Sequence, residues 1–216
     1  MPATPVKRRF IRPWMIAVAV GLVVLVAAAL STKVVTIQDA EAAESVGRFD
    51  PVEYADARFD SEIVPQIEAD AVDLATLQQD LAAGADEGEF GNTPGAGSSY
   101  SFPVEFTGTA GAPNGSILPV VVDGVPAEVT VQVQIGPAIN GTALRDVTGT
   151  VSFNEFTNQL EFQEVATEFN NRVRTDVLAD VDPAQLEGRT IRVVGAFTRV
   201  NPALVSVVPI VFEVEQ

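Results

Sequence analysis

The stretch "AEVTVQVQIGP", residues 127–137, and the stretch "NEFTNQLEFQEVATEFNNRVRTDVL", residues 154–178, together decide the fold. The first alternates between apolar and polar residues, which is typical of a half-buried strand. The second repeats apolar residues at every fourth or fifth position, which predicts one long amphipathic helix with Asn154 as its N-cap. The hydrophobic period therefore changes from that of a strand to that of a helix between the two stretches.

Strand patterns stand on both sides of this helix. They cover residues 99–110, 116–124, 127–137, 189–200 and 204–216. Residues 149–153 are expected either as a short extra strand or as an extension of the third strand. The order β-β-β-α-β-β is that of the OB-fold, a small five-strand Greek-key barrel. We therefore predict an α+β domain with an OB-like antiparallel β-barrel over residues 98–216, with a generic α+β sandwich as the alternative.

A helical region is predicted before the barrel, at residues 49–84. Asp50 is a candidate N-cap with Pro51 at the first helical position, and apolar residues then recur at helical spacing. Pro65 is expected to kink or divide this helix, and Gly84 is expected to end it.

The N-terminal part of the chain predicts a membrane segment. Residues 14–30 read "WMIAVAVGLVVLVAAAL", which are uncharged, almost entirely apolar and numerous enough to span a hydrocarbon core of about 30 Å. Basic residues precede them within residues 1–13, so the positive-inside rule places that segment in the cytoplasm. We predict a transmembrane signal anchor over residues 14–32. A cleaved signal peptide is the alternative, because Ala27-Ala28-Ala29 fits a small-residue cleavage site.

This topology sets the predicted location of the rest of the chain. Residues 33–48 would form a linker, and residues 49–216 an extracytoplasmic domain. The protein would be a single-pass protein of the cell membrane, with the membrane as its partner through residues 14–30.

Composition excludes several classes of function. The chain has no cysteine and no histidine, which removes thiolate nucleophiles, Ser-His-Asp triads and the commonest metal ligands. No cofactor and no metal site are therefore expected. From Lys33 onward there are nine basic and 29 acidic residues, a net charge of −20. Such a body repels phosphate backbones, so nucleic acid is not an expected partner.

One motif between the third strand and the long helix collects the candidate ligand-binding residues. It reads "QIGPAINGTALRDVTGTVSF", residues 134–153, and is rich in turn-forming Gly, Asn and Pro. The guanidinium of an arginine is a rigid fork suited to carboxylates, phosphates or sugar hydroxyls, and planar amides suit pairs of hydroxyls. The candidate residues are Thr142, Arg145, Asp146, Asn158 and Gln159. The alternative is structural: Arg145 and Asp146 would fix the connection between strand and helix, and the amides would satisfy backbone groups.

Acidic residues on the long helix leave a second alternative open. Glu161, Glu164 and Glu168 share one helical neighbourhood, and their oxygens could bind Ca²⁺. A solvated acidic face explains the same pattern.

Part of this sequence resembles a known family. The segment "IGPAINGTALRD" (135–146), followed by "FNEFTNQLEFQEVATEFN" (153–170), resembles DUF2291, a bacterial family of uncharacterised envelope proteins. The resemblance runs from "KVV" at 33–35 to the final "VVPIVFEV". It implies a periplasmic, lipoprotein-like protein without known catalytic activity, whose genes often stand beside those of sugar-importing ABC transporters. This chain departs from the lipoprotein pattern, because it has no cysteine to acylate.

Topology and resemblance together predict a membrane-anchored, non-enzymatic accessory of a carbohydrate ABC transport system, with a transporter component or a sugar as its partner. Two other functions remain open. One is a small-molecule or glycan-binding module that acts alone. The other is a hydrolase with a carboxylate pair, which would require two facing carboxylates, one of them with a raised pKa.

Overall fold

The structure, a computed structural model, describes residues 49–215. Its strands are β1 (Val72–Asp73), β2 (Ser101–Ala110), β3 (Ile117–Val121), β4 (Thr130–Gln134), β5 (Thr190–Thr198) and β6 (Leu204–Val214). Its α-helices are α1 (Pro51–Arg58), α2 (Val64–Asp70), α3 (Leu74–Ala82), α4 (Ala143–Asp146) and α5 (Gln159–Arg172). π-Helical turns follow α1 and α5, at Phe59–Ile63 and Val173–Val177.

Strands β2 to β6 form a closed five-strand barrel. The strand order is β1-β2-β3-β4-β6-β5, and β2 also pairs with β5, which closes the ring. The pairing of β4 with β6 is parallel, and the other barrel pairings are antiparallel. The long helix α5 lies between the third and fourth barrel strands, as the sequence predicts. The predicted α+β class and OB-like barrel are therefore confirmed.

One barrel strand carries a glycine at a β-bulge, where its neighbour lies very close. The register between β5 and β6 shifts between Val194 and Gly195. A Cβ at Gly195 would lie 2.3 Å from the carbonyl oxygen of Val208, so no larger residue fits against β6 there.

Two apolar cores lie on the two faces of β5 and β6. Inside the barrel, Val133, Phe197 and Val207 pack with the apolar face of α3, which contributes Leu74 and Leu77.

On the outer face of these strands the side chains of β5 and β6 contact helices α1, α2, α4 and α5. The buried residues of this second core include Phe59, Ile63, Leu144, Phe169, Val194 and Val208. Burial on both faces explains why β5 and β6 read as nearly continuous apolar runs.

The predicted N-terminal helix is divided, and at one more place than expected. The side chain of Asp50 accepts hydrogen bonds from the first turn of α1, as predicted. Pro65 lies in the first turn of α2, directly after the π-helical turn Phe59–Ile63 that separates α2 from α1. The helix is broken again at residues 71–73, because Val72 leaves it to pair with Val104 of β2. This second break corrects the prediction of one helical run from Pro65 to Gly84.

Two further predictions are corrected near the central motif. Residues 149–153 form no strand; they turn into a 3₁₀ helix, Phe153–Glu155, closed by a reciprocal capping box between Ser152 and Glu155. The long helix begins at Gln159 instead of Asn154, because Asn158 accepts hydrogen bonds from two N–H groups of its first turn.

None of the helices within residues 49–215 is long and apolar enough to cross a membrane. The predicted cytoplasmic segment (1–13), signal anchor (14–32) and linker (33–48) lie outside the described residues.

Candidate functional site

Arg145 is buried on the short helix α4. Only 4% of its surface is exposed. Its Nε donates to Oδ1 of Asp146 at 2.7 Å, and its Nη1 donates to the carbonyl oxygen of Phe162 at 3.0 Å. The guanidinium carbon lies 3.5 Å from the centroid of the Phe162 ring. The guanidinium that was predicted to bind a ligand thus makes its contacts within the domain, where it connects α4 to α5.

Asp146 and Thr142 support the same connection. Asp146 is 5% exposed and is the ion-pair partner of Arg145. The carbonyl oxygen of Thr142 accepts from the N–H groups of Arg145 and Asp146, at 3.1 and 3.0 Å, which starts α4.

Asn158 and Gln159 stand apart from this buried pair. Both are exposed at the beginning of α5. The Oδ1 of Asn158 accepts from the backbone N–H groups of Leu160 and Glu161, at 2.9 and 3.1 Å. The structure therefore brings Arg145 and Asp146 together, whereas it places the two amides on the solvent side of the helix. Their role in ligand binding stays a prediction.

Two amides that the sequence did not single out hold the loop after β4. Gln134 exchanges two hydrogen bonds with the backbone of Asn140, at 3.0 and 2.7 Å. Asn170 of α5 donates to the carbonyl oxygen of Gly141 at 3.0 Å. Both amides are buried. In the sequence, Gln134 follows Val133 and Asn170 follows Phe169. A polar residue next to a buried apolar one is only a weak sequence indication that its amide holds a loop.

Arg58 organises a polar cluster where α1 meets the 3₁₀ helix Phe153–Glu155. Its guanidinium makes two hydrogen bonds of 2.6 Å to Glu62 and one to the hydroxyl of Tyr54. The hydroxyl of Tyr54 in turn donates to Glu155 at 2.9 Å. The hydrogen bonds from Arg58 lower the pKa of Glu62. Burial, reinforced by the hydrogen bond to Glu155, raises the pKa of Tyr54 to about 12.

Arg172 forms a second cluster at the junction of α5 with its π-helical turn. It pairs with Asp56 at 2.8 Å, with Asp60 at 2.7 Å and with Asp176. The hydrogen bond from Arg172 lowers the pKa of Asp176. The cluster thereby ties the two π-helical turns together.

A cleft of about 430 Å³ opens where β5 begins and β6 ends. We call it the strand-end cleft. Its apolar lining residues are Val177, Val181, Leu186, Phe212 and Val214, and its polar ones are Asp180, Asp182, Gln185 and Arg189. Its volume falls within the range of about 300–1,000 Å³ that is usual for small-ligand sites.

Three polar side chains of this cleft make hydrogen bonds that hold them in place. Asp182 accepts from the backbone N–H of Ala184 at 3.0 Å and from the side-chain amide of Gln185 at 2.7 Å. The amide of Gln185, more than the backbone N–H, lowers the pKa of Asp182 and keeps it ionised. One Nη of Arg189 donates to the carbonyl oxygen of Glu215 at 2.8 Å. The cleft thus presents carboxylates, an amide and a guanidinium above an apolar floor.

The acidic residues of α5 make local hydrogen bonds. Glu161 accepts from the backbone N–H of Thr157 at 2.9 Å, and Glu168 accepts from the side chain of Asn171 at 3.1 Å. Over residues 49–215, no three acidic side chains lie close enough together to hold a metal ion.

Comparisons with known proteins agree with the sequence resemblance. A family model described as "Predicted periplasmic lipoprotein (DUF2291)" matches residues 22–213. The chain belongs to the DUF2291 family. This family's description corresponds to an extracytoplasmic location in the cell envelope. This DUF2291 chain has no cysteine, the residue on which a lipoprotein carries its lipid.

A solved structure supports the fold of this DUF2291 protein. It is the crystal structure of an OB-fold protein from Thermotoga maritima, with a TM-score of 0.62 and 19% sequence identity. The match covers 78% of this chain and 99% of that chain. At this identity the likeness shows the fold alone. No curated protein matches the chain.

Proposed function

We propose that this DUF2291 protein is a non-catalytic module that binds a neutral, polyhydroxylated solute at the outer face of the membrane, as an accessory of a carbohydrate ABC transport system. The observation that carries the proposal is the strand-end cleft. The extracytoplasmic location that the family's description indicates supports the proposal.

The chemistry of the cleft fits a sugar. A pyranose or furanose presents pairs of hydroxyls at its rim and an apolar C–H face. Carboxylates such as Asp180 accept from hydroxyls, and the remaining guanidinium donors of Arg189 give to them. Phe212 belongs to the apolar floor on which the C–H face would lie. A neutral ligand also avoids repulsion by the acidic body of the domain.

The same cleft favours binding over hydrolysis. A carboxylate hydrolase needs one protonated carboxyl as its general acid, which requires a raised pKa. Asp182 has a lowered pKa and accepts hydrogen bonds from Ala184 and Gln185. It is therefore suited to accept a hydrogen bond and not to supply a proton.

Calorimetric titration of the full-length chain in zwitterionic lipid nanodiscs tests solute binding. The probes are D-ribose, D-xylose, D-glucose and D-galactose, with glucose 6-phosphate as the anionic comparison. We expect at least one neutral sugar to bind and the phosphate to bind more weakly. The variants Asp180→Ala and Arg189→Met should lose binding. The matched control Arg192→Met removes a half-buried arginine of β5 that does not line the cleft, and should keep sugar binding. Equal binding by all three variants would place the sugar elsewhere and overturn the proposal.

Cross-linking in the producing cell separates the accessory role from the stand-alone glycan-binding module. The accessory role predicts that a sugar permease or its solute-binding protein is cross-linked to the chain. Sugar binding without any transporter component would leave the stand-alone module as the function. Release of p-nitrophenol from p-nitrophenyl glycosides, lost in Asp180→Ala, would instead establish the hydrolase.

A further inference from the structure

The domain has a second concave surface, which is apolar, unlike the strand-end cleft. It lies where OB barrels present their ligand-binding face. That face is formed by the second and third barrel strands with the loop between the first and second. Here these are β3, β4 and the loop that begins at Gly111. A groove of about 290 Å³ occupies this place, and we call it the β3–β4 groove.

The lining of the β3–β4 groove is almost free of polar side chains. Its residues are Gly111, Pro119–Val122, Val125–Ala127 and Val129–Val131, and only Thr130 carries a polar group. Val121 is 70% exposed, which is high for a large apolar side chain on a strand. OB faces that bind oligonucleotides rely on cationic and aromatic side chains. This groove has neither, so its chemistry suits an apolar side chain of another protein.

The charged residues in the chain segment that lines the groove are all acidic. The connection from β3 to β4 carries the exposed residues Asp123 and Glu128, next in sequence to lining residues. No basic residue occurs between positions 111 and 131. A partner that places an apolar side chain in the groove would gain further attraction from a lysine or arginine on either side of it.

The groove is also held in shape before any partner arrives. The side-chain amide of Gln79 on α3 donates to the carbonyl oxygen of Gly124 at 3.1 Å, at the tip of the β3–β4 connection. A Cβ at Gly124 would lie 3.1 Å from Ala75 of the same helix, so the connection rests closely on α3. A preformed groove spares the partner the cost of ordering it.

We infer that the β3–β4 groove is a docking site for a segment of another protein in which apolar residues alternate with basic ones. The inference does not depend on the strand-end cleft. It assigns protein recognition to a face with which other OB barrels bind oligonucleotides or oligosaccharides.

The test titrates the full-length chain in phosphatidylcholine nanodiscs with a fluorescent, capped peptide of sequence GKLKLKG, and empty nanodiscs provide the blank. Two control peptides separate the contributions: GELELEG reverses the charge, and GKSKSKG removes the apolar side chains. We expect GKLKLKG to bind at least about tenfold more tightly than either control.

Matched variants locate the binding. Val121→Arg fills the groove and adds one positive charge, and should weaken binding of GKLKLKG by about tenfold or more. Leu160→Arg makes the same change at an apolar residue that is 62% exposed on α5, and should leave binding within about twofold. The pair Asp123→Asn and Glu128→Gln should weaken binding and flatten its dependence on salt.

Three outcomes would overturn the inference. Equal binding of GKSKSKG would mean that the acidic body attracts any cation. Equal loss of GKLKLKG binding in Val121→Arg and Leu160→Arg would also mean that the peptide is attracted by the overall charge and not held in the groove. Binding to empty nanodiscs as strong as binding to the loaded ones would mean that the lipid is the partner. Because Val121 is exposed, its substitution leaves the core intact, and an unchanged melting temperature confirms that each variant is folded.

Discussion

The guanidinium carbon of Arg145 lies 3.5 Å above the ring of Phe162, and the same guanidinium donates to the carbonyl oxygen of Phe162. Arg145 thus contacts both the side chain and the backbone of Phe162, near the beginning of α5. Since Asp146 takes the Nε hydrogen bond, the arginine is buried with its charge compensated.

Arg145→Met should therefore destabilise the domain strongly. It leaves the carboxylate of Asp146 buried without its partner, and breaking a buried pair from one side costs about 3–5 kcal/mol. Urea denaturation of the full-length chain measures the loss. Arg192→Met, in an exposed cluster, is the control and should cost less than about 1 kcal/mol. If Arg145→Met abolished sugar binding at unchanged stability, Arg145 would instead be a ligand contact.

The double variant Arg145→Met with Asp146→Leu should be more stable than Arg145→Met alone. Apolar residues of similar volume remove both buried charges at once, and such replacements are often neutral or stabilising. The free energy of unfolding of the four members of this cycle gives the coupling between the two residues. A double variant less stable than the single one would show that Asp146 has another partner at this site.

Tyr54 should titrate far above an ordinary phenol. Its folded pKa is raised to about 12, because burial and the hydrogen bond to Glu155 disfavour the phenolate. A raised folded pKa favours the protonated form, so the stabilisation is complete below pH 10 and is lost as the pH rises from about 10 to about 12. Absorbance of the phenolate in Tyr100→Phe, which leaves Tyr54 as the only tyrosine, measures this titration.

Tyr54→Phe provides the comparison for stability. It should flatten the fall in unfolding free energy between pH 10 and about 12. If Tyr54 titrated near pH 10 in protein that is still folded, its hydroxyl would not be buried and hydrogen-bonded to Glu155 in solution.

The barrel was predictable because its signals are local. The alternation of Val131 and Val133 and the change of period before Phe162 depend only on neighbours in sequence, and together they give the order of the OB-fold. The break at residues 71–73 was not predictable in this way. It depends on the pairing of Val72 with Val104, 32 positions away.

The start of α5 is an intermediate case. Ser152 with Glu155 and Asn158 with Glu161 both have the spacing of a capping box, whereas the prediction took Asn154, between them, as the N-cap. In the structure the first closes a 3₁₀ helix and the second begins α5. The strand-end cleft has no local signal at all, because the pairing of β5 with β6 brings Arg189 to Glu215.

Arg172→Met should reduce stability moderately and in a salt-dependent way. It removes the arginine that pairs with Asp56, Asp60 and Asp176, and leaves these three carboxylates without that partner. These carboxylates are largely exposed, so the expected loss is about 1 kcal/mol at low salt and less at high salt. Arg174→Met, two residues along and exposed, is the control. Equal losses at low and high salt would indicate that packing of Arg172 on Phe59 matters more than charge.

Gly195→Ala should be among the most harmful single-methyl changes in the barrel. Its Cβ would meet the carbonyl oxygen of Val208 at 2.3 Å and the Cα of Pro209 at 2.9 Å, and neither backbone atom can move without opening the β5–β6 pairing. Overpacking of this kind costs about 1–3 kcal/mol or more. Gly95→Ala, which has no atom within 4 Å of the added Cβ, should change stability by less than about 0.5 kcal/mol. Thermal unfolding of the two variants compares them directly, and a Gly195→Ala protein as stable as Gly95→Ala would mean that the bulge can relax.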